Sequence, residues 1–339
     1  MKTYTVAVLG ATGAVGKEMI RILQERNFPV ATLLPLSSAR SAGSAVNFRG
    51  ERIPVQEATD QIFAGVDMVL GAADNDTARH FAPAIVEAGA VLIDNSSAFR
   101  LEPEVPLVVP EINGEDVKNH RGIIANPNCT TAITLTAIAP LARLAPIVSI
   151  QAATYQAVSG AGAAGPIELM QQVLSLAQGQ TYAPQVFPYP IAFNLIPQIS
   201  GEQERGYTAE EMKLQYEGRK ILHLPELTAS CTCVRVPVVR CHSIAASVGF
   251  AKPVSVKQAQ RVLSEAPGCL LVDDLPKGKY PMPLTASDQD LVQVGRIRPD
   301  LTDPNKLCLW CCGDQLRKGA ATNAVQIAEL LIDSFPENT

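Results

Sequence analysis

Cys129 is the residue around which chemistry can be built. It follows Ile123-Ile124-Ala125-Asn126-Pro127-Asn128 and precedes Thr130-Thr131-Ala132, so an apolar run ends in a polar knot that opens into helix formers. That order puts the sulfur where a strand gives way to a helix N-terminus. The first backbone N–H groups of a helix lack partners and its dipole is positive there, which favours a thiolate over a thiol. A cysteine is ordinarily a small buried hydrophobe, but Asn, Pro and Thr neighbours make a nucleophile the better reading.

Other reactive or binding groups lie at comparable junctions. Asn95-Ser96-Ser97 and Arg100 follow an apolar run at 91–94. Glu210 and Lys213 stand three apart in a helical pattern, hence on one face. Of the four histidines, His80 and His120 fall on helix or loop and His223 near a helix end, where a cation is simply stabilising. His242 follows Pro237-Val238-Val239-Arg240-Cys241, between two strand patterns. If the second strand extends back over Cys241 and His242, the two face opposite ways, and Cys241 is the poorer nucleophile candidate.

The elements that must position these groups begin with Thr5-Val6-Ala7-Val8-Leu9, a continuous apolar run typical of a strand buried on both faces. Gly10-Ala11-Thr12-Gly13-Ala14-Val15-Gly16 follows, then a helical pattern over 17–26. Glycines at such a turn let backbone approach a pyrophosphate resting on the helix N-terminus. The spacing G-x-x-G-x-x-G departs from the commoner G-x-G-x-x-G, yet strand before and helix after mark a dinucleotide turn. The second strand, 31–36, ends without the acid that would bond a ribose 2′-OH. Ser37-Ser38-Ala39-Arg40-Ser41 stands there instead, hydroxyls and a guanidinium suited to a 2′-phosphate, which implies NADP(H). Strands at 66–72, 91–94 and 123–125, with a helix over 77–88 capped by Asp76 and stopped by Gly89, complete a doubly wound parallel sheet. Ligands bind beyond the carboxyl ends of such strands, where Asn95, Arg100 and Cys129 fall.

The texture changes from Ile147. A strand over 147–155 leads into the small-residue loop Gln156-Ala157-Val158-Ser159-Gly160-Ala161-Gly162-Ala163-Ala164-Gly165 and a helix from Pro166 to Leu176. Residues 179–200, rich in Pro, Gln and aromatics, read as an irregular segment. Thr208 caps a helix to Leu222 with Glu211 at its third position. Strands over 229–236, 243–251, 291–297 and 307–312 then imply an α+β second domain, and an amphipathic helix over 316–332 is expected to return to the first. The division reads as 1–128, 129–315 and 316–339.

Composition closes off several alternatives. Of 339 residues, 47% are hydrophobic and 18% charged, which describes a well-packed protein rather than a disordered one. A net charge of -5 without a basic tract gives no attraction to nucleic acid or anionic lipid. No leader or bilayer-length apolar run stands out, so a cytosolic protein is expected. The eight cysteines follow neither a disulfide framework nor zinc-ligand spacing, so no metal is expected. No G-x-S-x-G turn supports a serine hydrolase.

With the motifs at 10–16, 126–131, 155–160, 235–243 and 317–329 in view, the chain resembles the aspartate-semialdehyde dehydrogenase family over nearly its whole length. The resemblance implies a cytoplasmic, NADP-dependent homodimer or homotetramer that reduces 4-aspartyl phosphate to aspartate semialdehyde with release of inorganic phosphate. It implies Cys129 as acyl-forming nucleophile, His242 as acid/base with a pKa near neutrality, and Gln156 orienting the intermediate. Arg235 is implied for the substrate carboxylate, Arg100 and Lys213 for the phosphate, and Glu210 for the substrate amine. Gly10, Thr12, Gly13, Ala14, Val15, Arg40, Ser41, Ser159, Gly160 and Gln315 fall to the cofactor, Gln315 standing where close relatives often have asparagine. Two rivals are N-acetyl-glutamyl-phosphate reductase, of similar plan, and a non-catalytic NADP-binding redox sensor. The second leaves Cys129, Gln156, Arg235 and His242 without joint purpose.

Overall fold

The computed structural model describes residues 2–334. They form two compact units, one from the residues up to Asn128 together with those from Ala320 onward, the other Cys129–Gly319.

The first unit is built on β1 (Tyr4–Leu9), α1 (Ala14–Glu25), β2 (Val30–Ser37), β3 (Ala45–Phe48), β4 (Glu51–Pro54), β5 (Gln56–Glu57), β6 (Met68–Gly71), α2 (Asn75–Glu87), β7 (Val91–Asp94), α3 (Pro110–Asn113) and β8 (Ile123–Ala125). Its sheet has the order β5-β2-β1-β6-β7-β8, all parallel, with β3 and β4 a separate hairpin. Alternate residues of β1 feed opposite cores, as a two-sided strand requires. Val6 and Val8 join Met19, Ile22 and Leu23 of α1 and Val325 and Leu331 of the C-terminal helix, Thr322–Ser334. Ala7 and Leu9 join Phe81 and Ile85 of α2. From β1 the chain moves to one neighbour and then crosses to the other, so the switch point of the sheet lies at the carboxyl end of β1, where Gly10 stands.

Helix α2 corrects one expectation. Its cap is Asp74, whose carboxylate accepts the Thr77 N–H at 2.9 Å, and not Asp76, which lies inside the first turn. The helix therefore starts two residues before its apolar periodicity does.

The second unit contains α4 (Cys129–Ile138), β9 (Ile147–Gln156), α5 (Ala164–Ala177), α6 (Ala209–Leu222), β10 (Thr228–Arg235), β11 (His242–Phe250), α7 (Val256–Glu265), β12 (Cys269–Leu271), α8 (Pro283–Ala286), β13 (Val292–Pro299) and β14 (Lys306–Gly313). Its mixed sheet runs β10-β9-β11-β14-β13-β12. Every residue of α4 after Cys129 is buried, Thr130, Thr131, Thr134 and Thr136 among them, so the helix packs on all its sides. Thr208 and Glu211 form the expected reciprocal capping box of α6. The expected helix from Leu316 takes a different form: Arg317–Ala321 is a π turn, in which Gly319 N–H donates to the Asp314 carbonyl five residues back, and regular α-helix begins at Thr322. No helix among the described residues is long and apolar enough to cross a membrane.

Candidate active site

The second unit aligns three of the expected residues by strand register. Arg235 ends β10 and pairs with Gln156, which ends β9; Gln156 pairs in turn with His242, which begins β11. Directly paired positions project from one face of a sheet, so the three side chains form a row. The row continues to Gly313 at the end of β14. A Cβ there would lie 2.9 Å from Ile133 Cγ1, so its absence admits α4. Cys129, half-buried, opens that helix, where the helix dipole sets a positive potential at the sulfur. Gly319 backs it: a Cβ at 319 would come within 2.8 Å of Cys129 Cβ.

His242 is fully buried, and its Nδ1 accepts the Ala157 N–H at 3.1 Å. With Nδ1 an acceptor, the neutral ring carries its proton on Nε2. Nε2 finds no hydrogen-bond partner among the described residues. Burial, and then the charge of Arg235, lower the His242 pKa to about 3. This overturns the expectation of a value near neutrality: the imidazole is a neutral donor and does not titrate around pH 7. The alternation expected for Cys241 and His242 also fails, because β11 starts at His242 and Cys241 stands outside it with φ +76°. Cys241 is buried against Ala286 and Cys312, and a hydrogen bond with Cys312, then burial, raises its thiol pKa well above the usual range.

Around the row polar groups are linked in a chain. Gln156 Oε1 accepts from Thr154 Oγ1 at 3.1 Å, Gln156 Nε2 donates to Glu210 Oε1 at 3.2 Å, and Glu210 Oε2 accepts from Lys213 Nζ at 2.8 Å. Arg235 Nη1 donates to the Ala157 carbonyl at 2.7 Å. Burial lowers the Arg235 pKa, while the Cys129 sulfur and the Glu210 carboxylate oppose that shift; a guanidinium remains charged throughout. Gly160 supplies the floor, since a Cβ there would lie 2.7 Å from Arg235 Nη1 and 3.2 Å from His242 Nε2.

The remaining expected residues divide between the units. Arg100, in the first, is buried with Nε on the Asn126 carbonyl and Nη2 on the Asn95 carbonyl, both at 2.9 Å. Gly10 has φ +86°, and a Cβ there would meet the Ala72 carbonyl oxygen at 2.6 Å, so only glycine serves. Gly13 caps α1 without a side chain, followed by Ala14 and Val15, and Thr12 Oγ1 bonds Ser37 Oγ at 3.0 Å. Arg40 is exposed and Ser41 half-buried in the turn after β2. A bare helix N-terminus behind a glycine turn at the switch point fits a dinucleotide pyrophosphate. Ser159, Gly160 and Gln315 lie in the second unit, where Gln315 Oε1 accepts the Cys241 N–H and its Nε2 donates to Ser159 Oγ.

Two residues unflagged by the sequence also shape this region. Gly319 is one; its signal was a glycine inside a helical pattern. Asp314 is the other, a fully buried acid that accepts from Arg240 Nε at 2.6 Å.

A parallel nucleotide-binding sheet joined to a mixed-sheet unit bearing a helix-borne cysteine has a counterpart among dehydrogenases. Residues 5–120 match the family described as semialdehyde dehydrogenase, NAD binding domain, and residues 138–318 match semialdehyde dehydrogenase, dimerisation domain. Aspartate-semialdehyde dehydrogenase of a Synechocystis species is 52% identical over 328 residues, 97% of each chain. The enzyme of that name from Bacillus subtilis is 45% identical over 334 residues, 96% of each chain. The crystal structure of aspartate semialdehyde dehydrogenase II from Vibrio cholerae, complexed with ASA, superposes with a TM-score of 0.97 at 41% identity, covering 99% of this chain and 100% of that one. The Candida albicans enzyme with NADP gives a TM-score of 0.77 at 27% identity, covering 98% and 99%. The chain belongs to the aspartate-semialdehyde dehydrogenase family. It is therefore an oxidoreductase with a nucleotide-binding domain.

Proposed function

We propose that the chain reduces L-4-aspartyl phosphate to L-aspartate 4-semialdehyde with NADPH, through a thioester on Cys129, in the biosynthesis of lysine, threonine, methionine and isoleucine. The observation that carries this reading is the row Arg235–Gln156–His242, with an unpartnered buried Nε2, in the unit whose α4 presents Cys129. The sulfur attacks the acyl carbon, the C–S bond forms, and the C–O bond to phosphate breaks with phosphate leaving. When bound, NADPH supplies the hydride that the thioester carbon accepts. The tetrahedral oxygen then reforms the carbonyl as the C–S bond breaks and the thiolate is released. The one proton consumed ends on the departed phosphate, and Cys129, a thiolate when it attacks, is a thiolate again when the aldehyde leaves.

His242 accordingly acts by donating a hydrogen bond from Nε2 to the oxygen that becomes negative in both tetrahedral stages. A preformed donor in a water-poor site serves such an oxyanion at no reorganisation cost. Arg235 holds the substrate α-carboxylate with its fork, Gln156 orients the intermediate, and Glu210 receives the amine. Arg100 and Lys213 attract the phosphate. Gly10, Thr12, Gly13, Ala14 and Val15 hold the pyrophosphate, and Arg40 with Ser41 the 2′-phosphate. The match to a dimerisation domain supports a homodimer or homotetramer.

Cys129→Ala should abolish turnover while NADPH still binds, as fluorescence titration reads; retained turnover would end the covalent reading. Assaying aspartate semialdehyde against its N-acetyl-glutamyl counterpart with NADP⁺ and phosphate tests the substrate, because an acetylated amine offers Glu210 no charge.

A further inference from the structure

Strand β10 is an edge of the mixed sheet, and α6 packs beside it. An edge strand leaves alternate backbone groups without a neighbouring strand. Here three side chains of α6, spaced four apart and so on one stripe, supply partners. Arg219 Nε donates to the Leu227 carbonyl at 2.8 Å, and Gln215 Nε2 donates to the same oxygen at 3.0 Å. Gln215 Oε1 accepts the Ala229 N–H, and Glu211 Oε1 accepts the Cys233 N–H at 2.9 Å. Glu211 is buried, and its second oxygen accepts the Thr208 N–H at 2.7 Å within the capping box. One carboxylate thus joins the first turn of α6 to a point two residues before Arg235. Glu210 stands next to it on that turn, and its charge acts on the Arg235 guanidinium.

We propose that Glu211 is a positioning residue for substrate recognition: its carboxylate registers α6 on β10 and so fixes Glu210 at the separation from Arg235 that holds the amine and the carboxylate of one α-carbon together. This rests on the reading of Glu210 as the amine site and Arg235 as the carboxylate site. The capping box employs one oxygen of Glu211, and the strand employs the other. Glutamine in its place offers one acceptor and one donor group, so either the Thr208 or the Cys233 N–H then faces an NH₂. The helix start shifts on the strand, and a displacement of about 1 Å at such a site costs on the order of 100-fold in rate.

The test compares Glu211→Gln, Glu211→Asp, Thr208→Ala and Glu210→Ala in two measurements. One is kcat/KM for aspartate semialdehyde with NADP⁺ and phosphate. The other is the inhibition constant of 4-oxobutanoate, the same aldehyde acid without the amine. Glu211→Gln should lower kcat/KM by about 10- to 100-fold and move the inhibition constant by less than about threefold, because the analogue needs Arg235 and not Glu210. Glu211→Asp keeps the charge at the helix start but is one methylene too short for both N–H groups; it should show the same split, and it carries the test if the glutamine variant does not fold. Thr208→Ala weakens the cap and lowers the melting temperature, yet should keep kcat/KM within about threefold of wild type. An inhibition constant that rises as far as kcat/KM falls, or a fall in Thr208→Ala as deep as in Glu211→Gln, marks a general loosening of α6 and overturns the proposal. Full kcat/KM in Glu211→Gln beside a collapsed Glu210→Ala overturns the tie alone. A Glu210→Ala enzyme that still prefers the amine-bearing aldehyde as strongly as wild type overturns the amine reading beneath it.

Discussion

Replacing His242 by asparagine should change how stability depends on pH, and by an amount that follows from its surroundings. Asparagine Oδ1 takes the place of Nδ1 as acceptor for the Ala157 N–H but carries no titrating group. In the unfolded chain histidine titrates near 6.5, whereas in the folded protein burial and Arg235 lower it to about 3. Above pH 6.5 both states are neutral and the histidine adds no pH dependence. Below it the unfolded state binds a proton that the folded state refuses, so stability is lost as pH falls from 6.5 toward 3. The slope is about 1.4 kcal/mol per pH unit, and the loss between pH 7.5 and 5.0 sums to about 2 kcal/mol. Urea unfolding of wild type and His242→Asn, at one protomer concentration, should give a difference that shifts by that amount in favour of the variant at the lower pH. Parallel curves would refute a neutral, buried imidazole and with it the donor role assigned to Nε2.

Gly319→Ala should slow alkylation of Cys129 and destabilise the fold by about 1–3 kcal/mol through overpacking, because the new methyl meets Cys129 Cβ at 2.8 Å; unchanged alkylation and melting would show that the π turn yields freely. Arg235→Lys should lower kcat/KM for the semialdehyde by about 10- to 100-fold, since a lysine cannot hold the Ala157 carbonyl and a carboxylate as one planar fork does. A change below twofold would move the carboxylate elsewhere. Arg40→Ala should raise the KM for NADP⁺ about tenfold and leave that for NAD⁺ nearly untouched; equal effects would remove Arg40 from the 2′-phosphate.

Local chemistry made part of this protein legible in its sequence. The turn at Gly10 declares itself because only glycine tolerates both the positive φ and the Ala72 carbonyl pressed against it. Thr208 and Glu211 announce a helix start by their three-residue spacing, and the two-sided β1 by its unbroken apolar run. Ser255 and Gln258 form the same reciprocal box at the start of α7, a largely polar helix. The hairpin β3–β4 was hidden by four-residue strands with exposed, charged members. What the sequence withholds is register. Gln156 lies scores of residues before Arg235 and His242, and only the pairing of β10, β9 and β11 places the three side by side. The state of His242 is withheld for the same reason: burial and a guanidinium brought from β10 lower its pKa, and neither is written next to it.

Mass spectrometry of the protein quenched during turnover, with peptides mapped across all eight cysteines, tests the proposed thioester most directly. An aspartyl adduct on the peptide bearing Cys129, absent from Cys129→Ala, is the expected result. Turnover continuing with Cys129 unmodified, or with the acyl group on Cys241 or another sulfur, would contradict it.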